Sequence, residues 1–309
     1  MEFIETVDLK RTFGDTVAVE DLNLRIRQGE VFAFLGPNGA GKTTTVRMLT
    51  TLIHPTSGKA YVGGNEVGRE PDSMNIRAMS GFLPEAPGLY ERLSAARNLD
   101  FYGRLYGVPE SRRKARIEEL LKWIGLWKRR DSPVATFSKG MRQKIAIVRA
   151  MVHDPQILFL DEPTAGLDPS AAKTVRDFLV DLGSMGKTIF LNTHNLSEAE
   201  RVSTRIGVVS TRLLAQGTPK ELAARYLKPA SVFRLREATE DVVQAVDALD
   251  FVEEVRVEDG ELHVSLEDPQ KGNPAIAKAV IAAGGEIEFI VEKEMGLEEV
   301  YLRLLEDVA

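Results

Sequence analysis

The 309-residue chain contains no cysteine, and this absence excludes several kinds of chemistry. Disulfide frameworks, thiolate metal sites and cysteine nucleophiles all require the missing side chain. Long apolar runs are also absent, since none reaches the roughly 18 residues that a membrane-spanning helix needs. Residues 1–5 are acidic and lack the basic and then apolar pattern of a signal peptide. The composition therefore fits a reducing cytosol, with any membrane role peripheral.

Net negative charge is confined to the tail of the chain, whereas its body is net positive. Residues 231–309 hold 7 Lys and Arg against 20 Asp and Glu, whereas residues 1–230 hold 33 against 26. A basic body and an acidic tail suggest two units with different surroundings. Two ordinary solvated surfaces would show the same asymmetry, so the charge alone does not identify a partner.

Short apolar runs predict buried strands at residues 31–35, 157–160, 188–191 and 206–209. A helix is predicted from Lys42, directly after the first strand. Because buried strands alternate with helical patterns, we expect an α/β fold with a mostly parallel sheet. Residues 88–150 show only helical patterns, at 95–105, 115–124 and 139–152, and so predict a helical subdomain.

The pattern changes after Pro229, where a small α+β domain is expected. Four strands and three helices are predicted in this tail, at residues 232–235, 252–257, 262–266 and 287–291 for the strands and 242–249, 274–283 and 297–305 for the helices. The predicted domains are therefore 1–228 and 229–309, joined by a linker near residues 226–231.

A glycine-rich loop between the first strand and its helix predicts a nucleotide site. Its sequence, residues 36–43, follows the P-loop pattern, in which backbone N–H groups and a helix N-terminus hold a polyphosphate. Lys42 would neutralise the β- and γ-phosphates, and the Thr43 hydroxyl would bind Mg²⁺. An incidental glycine-rich turn is disfavoured by the flanking strand and helix. The expected nucleotide contacts are Gly36, Pro37, Asn38, Gly39, Ala40, Gly41, Lys42, Thr43 and Thr44.

A second buried strand ends in the carboxylate pair Asp161 and Glu162. Carboxylate oxygen is a ligand that Mg²⁺ prefers, so Asp161 is expected to hold the ion, usually through water. Glu162 is the natural candidate for the base that polarises an attacking water. Acidic pairs are also common at solvated strand ends, and the P-loop is what favours the chemical interpretation. The sequence therefore predicts an enzyme that binds ATP and Mg²⁺ and hydrolyses ATP.

The order of motifs resembles that of ATP-binding cassette (ABC) ATPases. The resemblance covers residues 1 to about 225 and rests on motifs in the expected order and spacing, namely residues 36–43, 137–143 and 161–168 and His194. It implies a P-loop NTPase fold with a parallel core, an antiparallel β part and a helical subdomain. It also implies that two cassettes, either two copies or paralogues, dimerise head to tail around two ATP molecules.

The resemblance assigns Ser138 and Gly140 to the signature motif, which contacts the γ-phosphate held by the other subunit. Lys139 and Met141 stand where glycine and glutamine are usual in the family. Ser138 before a helical run would also be a good N-cap. The two roles are compatible, because a capped helix start presents N–H groups to a phosphate.

Four further residues receive roles from the resemblance. His194 matches the histidine that hydrogen-bonds the γ-phosphate, although a lone histidine is more often structural. Asp168 matches a loop at the dimer interface. Phe13 matches the aromatic that stacks on adenine, and it could equally belong to the core. Glu85 stands where the family usually has a glutamine that contacts Mg²⁺; a carboxylate is still a hard oxygen donor.

The segment 297–304 is similar to the tail of cassettes from ABC-2-type exporters, a group that includes drug-resistance ATPases. This implies a separate integral membrane subunit and a peripheral location on the inner face of the cell membrane. The alternative is a soluble ABC ATPase acting on a non-membrane macromolecule, although no nucleic acid partner is expected. A non-hydrolysing module is a third possibility, which the presence of Glu162 and His194 disfavours. The tail domain is expected to reinforce the dimer or to regulate its closure.

Overall fold

The computed structural model describes residues 2–258, 260–293 and 296–306, and the chain divides into two compact units between Thr218 and Pro219. The division lies ten residues before the one expected from the sequence. The helix Pro219–Tyr226 belongs to the second unit because it packs against the last helix, Leu297–Glu306. Arg303 of that last helix donates a hydrogen bond to the carbonyl of Tyr226 at 2.8 Å.

Eleven strands, seven α-helices and two short 3₁₀ helices, Trp127–Arg129 and Val134–Thr136, form the described part of the first unit. In chain order the strands and α-helices are β1 (Glu2–Phe13), β2 (Thr16–Leu22), β3 (Arg25–Arg27), β4 (Val31–Leu35), α1 (Lys42–Leu49), β5 (Ser57–Val62), β6 (Asn65–Glu66), α2 (Asp72–Met79), β7 (Ser80–Leu83), α3 (Ala95–Leu105), α4 (Glu110–Trp123), α5 (Lys139–Ala150), β8 (Ile157–Asp161), α6 (Pro169–Ser184), β9 (Thr188–Thr193), α7 (Leu196–Val202), β10 (Arg205–Ser210) and β11 (Arg212–Gly217).

The central sheet of this unit has the order β11-β10-β4-β9-β8-β7 and is parallel except for the edge strand β11. Every residue of β4, β8 and β9 is buried. Both faces of these strands are therefore covered, which explains their unbroken apolar sequences. All four strands predicted from apolar runs are confirmed, and β7 and β11 are additions from less apolar segments.

Aromatic rings fill the centre of the parallel sheet. The Phe190 ring centroid lies 5.9 Å from that of Phe32, 5.4 Å from that of Phe34 and 5.8 Å from that of Phe159. All four side chains are fully buried. Tilted rings at this spacing add specific attraction to the burial of a large apolar area. A second, antiparallel sheet built from β1, β2, β3, β5 and β6 packs into the same core.

The predicted helical subdomain is confirmed as α3, α4 and α5. Ser94 and Ser138 cap α3 and α5, each accepting from a backbone N–H three residues on. Helix α4 begins at Glu110, five residues before its apolar pattern. One of its basic residues, Arg113, is buried and donates to Asp100 at 2.6 Å, so this arginine does not belong to the solvated face of α4.

The second unit contains α8 (Pro219–Tyr226), β12 (Ala230–Leu235), α9 (Glu240–Asp247), β13 (Val252–Glu258), β14 (Glu261–Leu266), α10 (Pro269–Ala282), β15 (Ile287–Glu292) and α11 (Leu297–Glu306). Its antiparallel sheet has the order β13-β14-β12-β15, and α9 and α10 pack against it. The expected α+β arrangement is confirmed. Helix α10 begins five residues earlier than expected because Asp268 caps it and Pro269 occupies its first turn.

Within the described residues, we find no helix that combines the length and the apolar character needed to cross a membrane.

We expect Phe190→Ala to destabilise the first unit by about 3–5 kcal/mol, because it removes a ring at the centre of the aromatic core. Both tryptophans, Trp123 and Trp127, lie in the first unit, so their fluorescence in urea reports its unfolding. Met185→Ala is the matched control, since its side chain is 63% exposed and its loss should change stability by less than about 0.5 kcal/mol. Equal effects of the two substitutions would contradict the central position of Phe190.

Candidate functional site: a nucleotide-binding cleft

The parallel pairing of β4, β9 and β8 brings three predicted motifs to one edge of the sheet. Leu35 at the end of β4 lies opposite Thr193 of β9, and Asn192 lies opposite Asp161 of β8. The loop that follows β4, the carboxylate that ends β8 and the turn after β9 are therefore neighbours. Ligands of open α/β sheets bind at such an edge, outside the carboxyl ends of the strands.

The glycines of the P-loop are required by its backbone path. A Cβ at Gly36 would lie 2.3 Å from the carbonyl oxygen of Val209. Gly41 has φ +88° and a Cβ there would lie 2.1 Å from the carbonyl oxygen of Ala18, whereas Gly39 has φ +85° and open space around it. Positive φ and close backbone approach both favour glycine. The loop then passes directly into α1, whose first turn leaves N–H groups available to an anion.

Lys42 folds back over this loop. Its Nζ donates to the carbonyl oxygen of Gly36 at 2.7 Å and to that of Pro37 at 3.0 Å. Only 6% of the residue is exposed, and this burial lowers the pKa of the ammonium group, against the opposing charges of Glu162 and Asp161. The lysine is thus held at the loop by partners that phosphate oxygens can replace.

Asp161 and Thr43 form the oxygen-rich part of the cleft. The Thr43 hydroxyl lies 3.4 Å from Asp161 Oδ1, and the Asn192 amide donates to the same oxygen. Burial raises the pKa of the Asp161 carboxyl, and the charges of Glu162 and Glu85 add to the increase. A buried carboxylate beside two others is a position that a cation would stabilise.

The side chains of Glu162 and His194 are in direct contact in the cleft. His194 Nδ1 and Glu162 Oε1 are 2.8 Å apart, with the Glu162 side chain 13% exposed and the imidazole 56% exposed. The Glu162 backbone adopts φ +50°, an uncommon conformation for a residue other than glycine. Its amide donates to the carbonyl of Asn192 at 2.9 Å, which fixes this turn against β9.

Three polar residues that the sequence reasoning missed support this pair. Asn192 contacts Asp161, as described, and its own Oδ1 has no protein partner among the described residues. The Thr193 hydroxyl donates to the fully buried Glu198 at 2.6 Å and accepts from the amide of Asn195 at 3.0 Å, which holds the turn containing His194. The sequence contained one indication of these residues, namely that the apolar run of the buried strand β9 ends in polar side chains.

A cavity of about 280 Å³ joins these groups. Glu85, Glu162 and His194 line it opposite the loop residues. Seven of the nine predicted loop contacts also line it: Asn38, Gly39, Ala40, Gly41, Lys42, Thr43 and Thr44. Gly36 and Pro37 contribute through the carbonyls that hold Lys42. The structure therefore brings the P-loop, Glu85, Glu162 and His194 together.

Ser138, Gly140 and Asp168 do not line this cavity. Ser138 caps α5 by accepting from the amide of Met141 at 3.3 Å, and Asp168 caps α6 by accepting from the amide of Ala171 at 2.9 Å. A Cβ at Gly140 would lie 2.8 Å from that of Ala171, so glycine is also needed where α5 approaches α6. These two helix starts lie outside the half-site formed by the P-loop.

Phe13 lies at the end of β1 and is 46% exposed. The Arg11 guanidinium carbon lies 4.4 Å from the centroid of its ring. The side chain is therefore not part of the core, and one face of the ring is occupied by a cation. An exposed ring of this kind suits stacking on a planar base.

Comparison with known proteins identifies the family. The model of the ABC transporter family matches residues 19–165. The daunorubicin resistance ATP-binding protein DrrA3 of Streptomyces coeruleorubidus is 36% identical over 306 residues, covering 98% of this chain and 96% of that protein. The bacitracin transport ATP-binding protein BcrA of Bacillus licheniformis is 33% identical over 303 residues, covering 98% and 97%.

Solved structures agree with this relationship. A structure of an ATP-binding subunit of an ABC transporter has 32% identity and a TM-score of 0.65, covering 72% of this chain and 93% of that one. A dimeric ATP-binding cassette in a post-hydrolysis state with ADP and Pi has 25% identity and a TM-score of 0.61, covering 70% and 98%.

The fold and the cleft define a P-loop ATPase, and the chain belongs to the ATP-binding proteins of ABC transporters. The predictions of ATP hydrolysis and of an exporter-type cassette are confirmed. The alternative of a soluble ABC ATPase with a non-membrane partner is not favoured.

We expect Gly41→Ala to weaken ATP binding at least about tenfold more than Gly39→Ala. Both substitutions impose positive φ on alanine, at a cost of about 1–2 kcal/mol. Only at Gly41 does the new methyl group also collide with backbone, at Ala18. Titration with a fluorescent ATP analogue gives the two affinities, and far-ultraviolet circular dichroism checks that both variants are folded. Similar losses in both would contradict the steric argument.

Proposed function

We propose that this chain is the ATP-hydrolysing subunit of an exporter that works as a head-to-tail dimer, of two copies or of one copy with a paralogous cassette. The dimer is docked on an integral membrane subunit at the inner face of the cell membrane. The observation that carries the proposal is the incomplete cleft: the P-loop, Glu85, Glu162 and His194 share one cavity, while the signature residues Ser138 and Gly140 lie outside it. A second subunit is the natural source of the missing face.

The charges in the cleft favour a nucleotide that arrives with a divalent cation. Asp161, Glu162 and Glu85 place three carboxylates beside Lys42, and a bare triphosphate would be repelled by them. No cluster of three or more His, Cys, Asp or Glu in the described residues is arranged to hold a metal ion alone. This suits Mg²⁺, which is usually bound by one or two protein groups together with substrate phosphates.

The donors offered here fit Mg²⁺. The Thr43 hydroxyl and Asp161 Oδ1 lie together, and both are hard oxygen ligands. We assign the ion to Thr43 and, through water, to Asp161, with Glu85 as a further oxygen donor. When bound, the ion would neutralise charge that develops on the β- and γ-phosphates.

The side chains of Glu162 and His194 supply the hydrolytic step. The Glu162 carboxylate accepts a hydrogen bond from the water that attacks the γ-phosphate, and His194, 2.8 Å away, positions that carboxylate and the phosphate. Lys42 exchanges its bonds to the loop carbonyls for phosphate oxygens. Phosphoryl transfer asks for positioning and charge stabilisation, and this set of side chains provides both.

Closure of the dimer then completes the site. The amides at the start of α5, around Ser138 and Gly140, would face the γ-phosphate bound by the other subunit, and Asp168 at the start of α6 would lie in the same interface. Phe13 would stack on the adenine ring. Because the contacts require the γ-phosphate, the free energy of closure depends on the bound nucleotide, and hydrolysis releases the dimer.

An exposed apolar patch in the helical subdomain is a candidate docking surface for the membrane subunit. The patch consists of Tyr90, Phe101 and Leu105, of which Leu105 is 71% exposed. Tyr90 and Phe101 pack edge to face at 5.0 Å, and Leu105 lies one helical turn after Phe101. Exposed apolar groups that cluster in this way mark interaction sites. The acidic tail, from residue 229 onward, is assigned an accessory role in reinforcing or regulating the dimer.

We expect Glu162→Gln to lower ATP turnover by about 10²–10⁴-fold, because the amide cannot act as the base, while ATP binding is retained. ATP should also convert this variant to a stable dimer, since hydrolysis no longer releases it. Phosphate release measures turnover, and light scattering after size-exclusion chromatography measures dimerisation with and without ATP.

Glu200→Gln is the control, since Glu200 is an exposed carboxylate on α7 outside the cavity. It should hydrolyse ATP at the wild-type rate. Near-normal turnover by Glu162→Gln would contradict the assigned base, and a monomer at saturating ATP would contradict the sandwich dimer.

We expect Leu105→Glu to abolish co-purification with a co-expressed polytopic membrane subunit, because it places a charge in the apolar patch. ATP binding by the isolated chain should be unchanged. Met185→Glu is the matched control, as Met185 is 63% exposed on the same unit. Retention of the membrane subunit by Leu105→Glu would exclude the patch as the docking surface.

A further inference from the structure

Under the proposed function, helix α5 connects the signature residues, which contact the ATP of the other subunit, with the segment beside this chain's own ATP. It begins at the signature residues Ser138 and Gly140, which would act on the ATP of the other subunit. It ends at Ala150, about 18 Å away, beside the segment that carries Glu85. Glu85 lines the cavity of the chain's own P-loop. A firm attachment at the end of α5 would therefore connect one site with the other.

Arg149, in the last turn of α5, makes that attachment. Its Nη1 donates to the carbonyl of Pro87 at 2.7 Å and to that of Gly88 at 3.3 Å. Its Nη2 donates to the carbonyl of Phe82 at 3.2 Å. One guanidinium thus holds both sides of the loop that contains Glu85. Only 6% of Arg149 is exposed, so displacing the loop would leave buried donors without partners.

Tyr102 of α3 closes the same network. Its hydroxyl donates to the carbonyl of Gly88 at 3.0 Å and lies 3.5 Å from Arg149 Nη1. The Arg149 guanidinium carbon is also 4.7 Å from the centroid of the Tyr102 ring. The planar guanidinium is suited to serve several acceptors and an aromatic face at once, which a lysine cannot do.

The loop and α5 separate away from this attachment. A groove of about 610 Å³ lies between residues 85–91 and the first turns of α5, where Lys139, Arg142 and Gln143 line it. The two elements are therefore fixed to each other at Arg149 and apart at the signature end. A shift of the Glu85 loop would be carried to Ser138 by α5, because the loop is bonded to this helix at Arg149.

We propose that Arg149, with Tyr102, is a positioning residue that makes the Glu85 loop and the signature end of α5 move together. Through this link, ATP bound at one P-loop improves the fit of α5 to the second ATP of the dimer. The inference rests on the proposed sandwich dimer and assigns the link between its two sites to Arg149 and Tyr102. Such coupling appears as a Hill coefficient between 1 and 2 for two equivalent sites.

The test is ATP hydrolysis by the purified full-length chain, measured as a function of ATP concentration. Tyr102→Phe removes only the hydroxyl of the network, and we expect the Hill coefficient to fall towards 1. The ATP concentration for half-maximal rate should rise about fivefold, the lower end of ordinary coupling factors, with the saturated rate within about twofold of wild type. Arg149→Lys should lower the Hill coefficient and raise the half-maximal ATP concentration by more than Tyr102→Phe does.

Tyr61→Phe is the matched control. Tyr61 lies on β5, and its hydroxyl has no hydrogen-bond partner among the described residues, so its Hill coefficient should equal that of the wild type. Thermal unfolding of each nucleotide-free variant separates coupling from stability. If Arg149→Lys does not fold, the Hill coefficient of Tyr102→Phe is sufficient to test the proposal.

A lower Hill coefficient with an unchanged unfolding temperature supports the proposal. It is overturned by a wild-type Hill coefficient of about 1, or by variants whose rate or stability falls while the coefficient is unchanged. Absence of turnover in the wild-type chain would contradict the proposed function and remove this inference with it. Normal hydrolysis with unaltered cooperativity in both variants would overturn the coupling alone.

Discussion

The structure of the cleft depends on the parallel register of three buried strands. Because β4, β9 and β8 run in the same direction and are in register, Leu35, Thr193 and Asp161 end at one edge. Residues separated by more than a hundred positions in the chain thereby share one cavity. The side chains within these strands contribute apolar bulk, above all the Phe190 ring and its neighbours. The chemistry lies in the last residues of these strands and the first residues beyond them, where the sheet presents its carboxyl ends.

Charge is the second constraint on this site. Burial already raises the pKa of Asp161 and lowers that of Lys42, so each group is held where its ionised form is costly. A polyphosphate with its cation relieves both effects, because it places negative charge near the ammonium and positive charge near the carboxylate.

Helix α5 has an architectural role that its motif does not indicate. Its first turn presents the capped start at Ser138, and its last turn holds the Glu85 loop through Arg149. The groove between the two shows that they are not packed along their whole length. In the proposed dimer, the helix would relate the two nucleotide sites, in addition to supplying one face of the second site. Gly140 is also required by its close approach to Ala171.

Local patterns of residues were enough to predict the class of fold, the four main parallel strands, the P-loop and the Asp161–Glu162 pair. These features are local, since apolar runs, glycine spacing and capping residues act over a few positions. The ends of elements were predicted less well. The starts of α4 and α10 and the boundary at Thr218 all differ from the expected positions, because caps and helix packing set them and the apolar pattern does not. Only the tertiary structure revealed Asn192, the Thr193–Glu198 support and the Arg149 network. Those contacts join strands and helices that are distant in the chain, and no local pattern of residues specifies which distant carbonyl a buried guanidinium will meet.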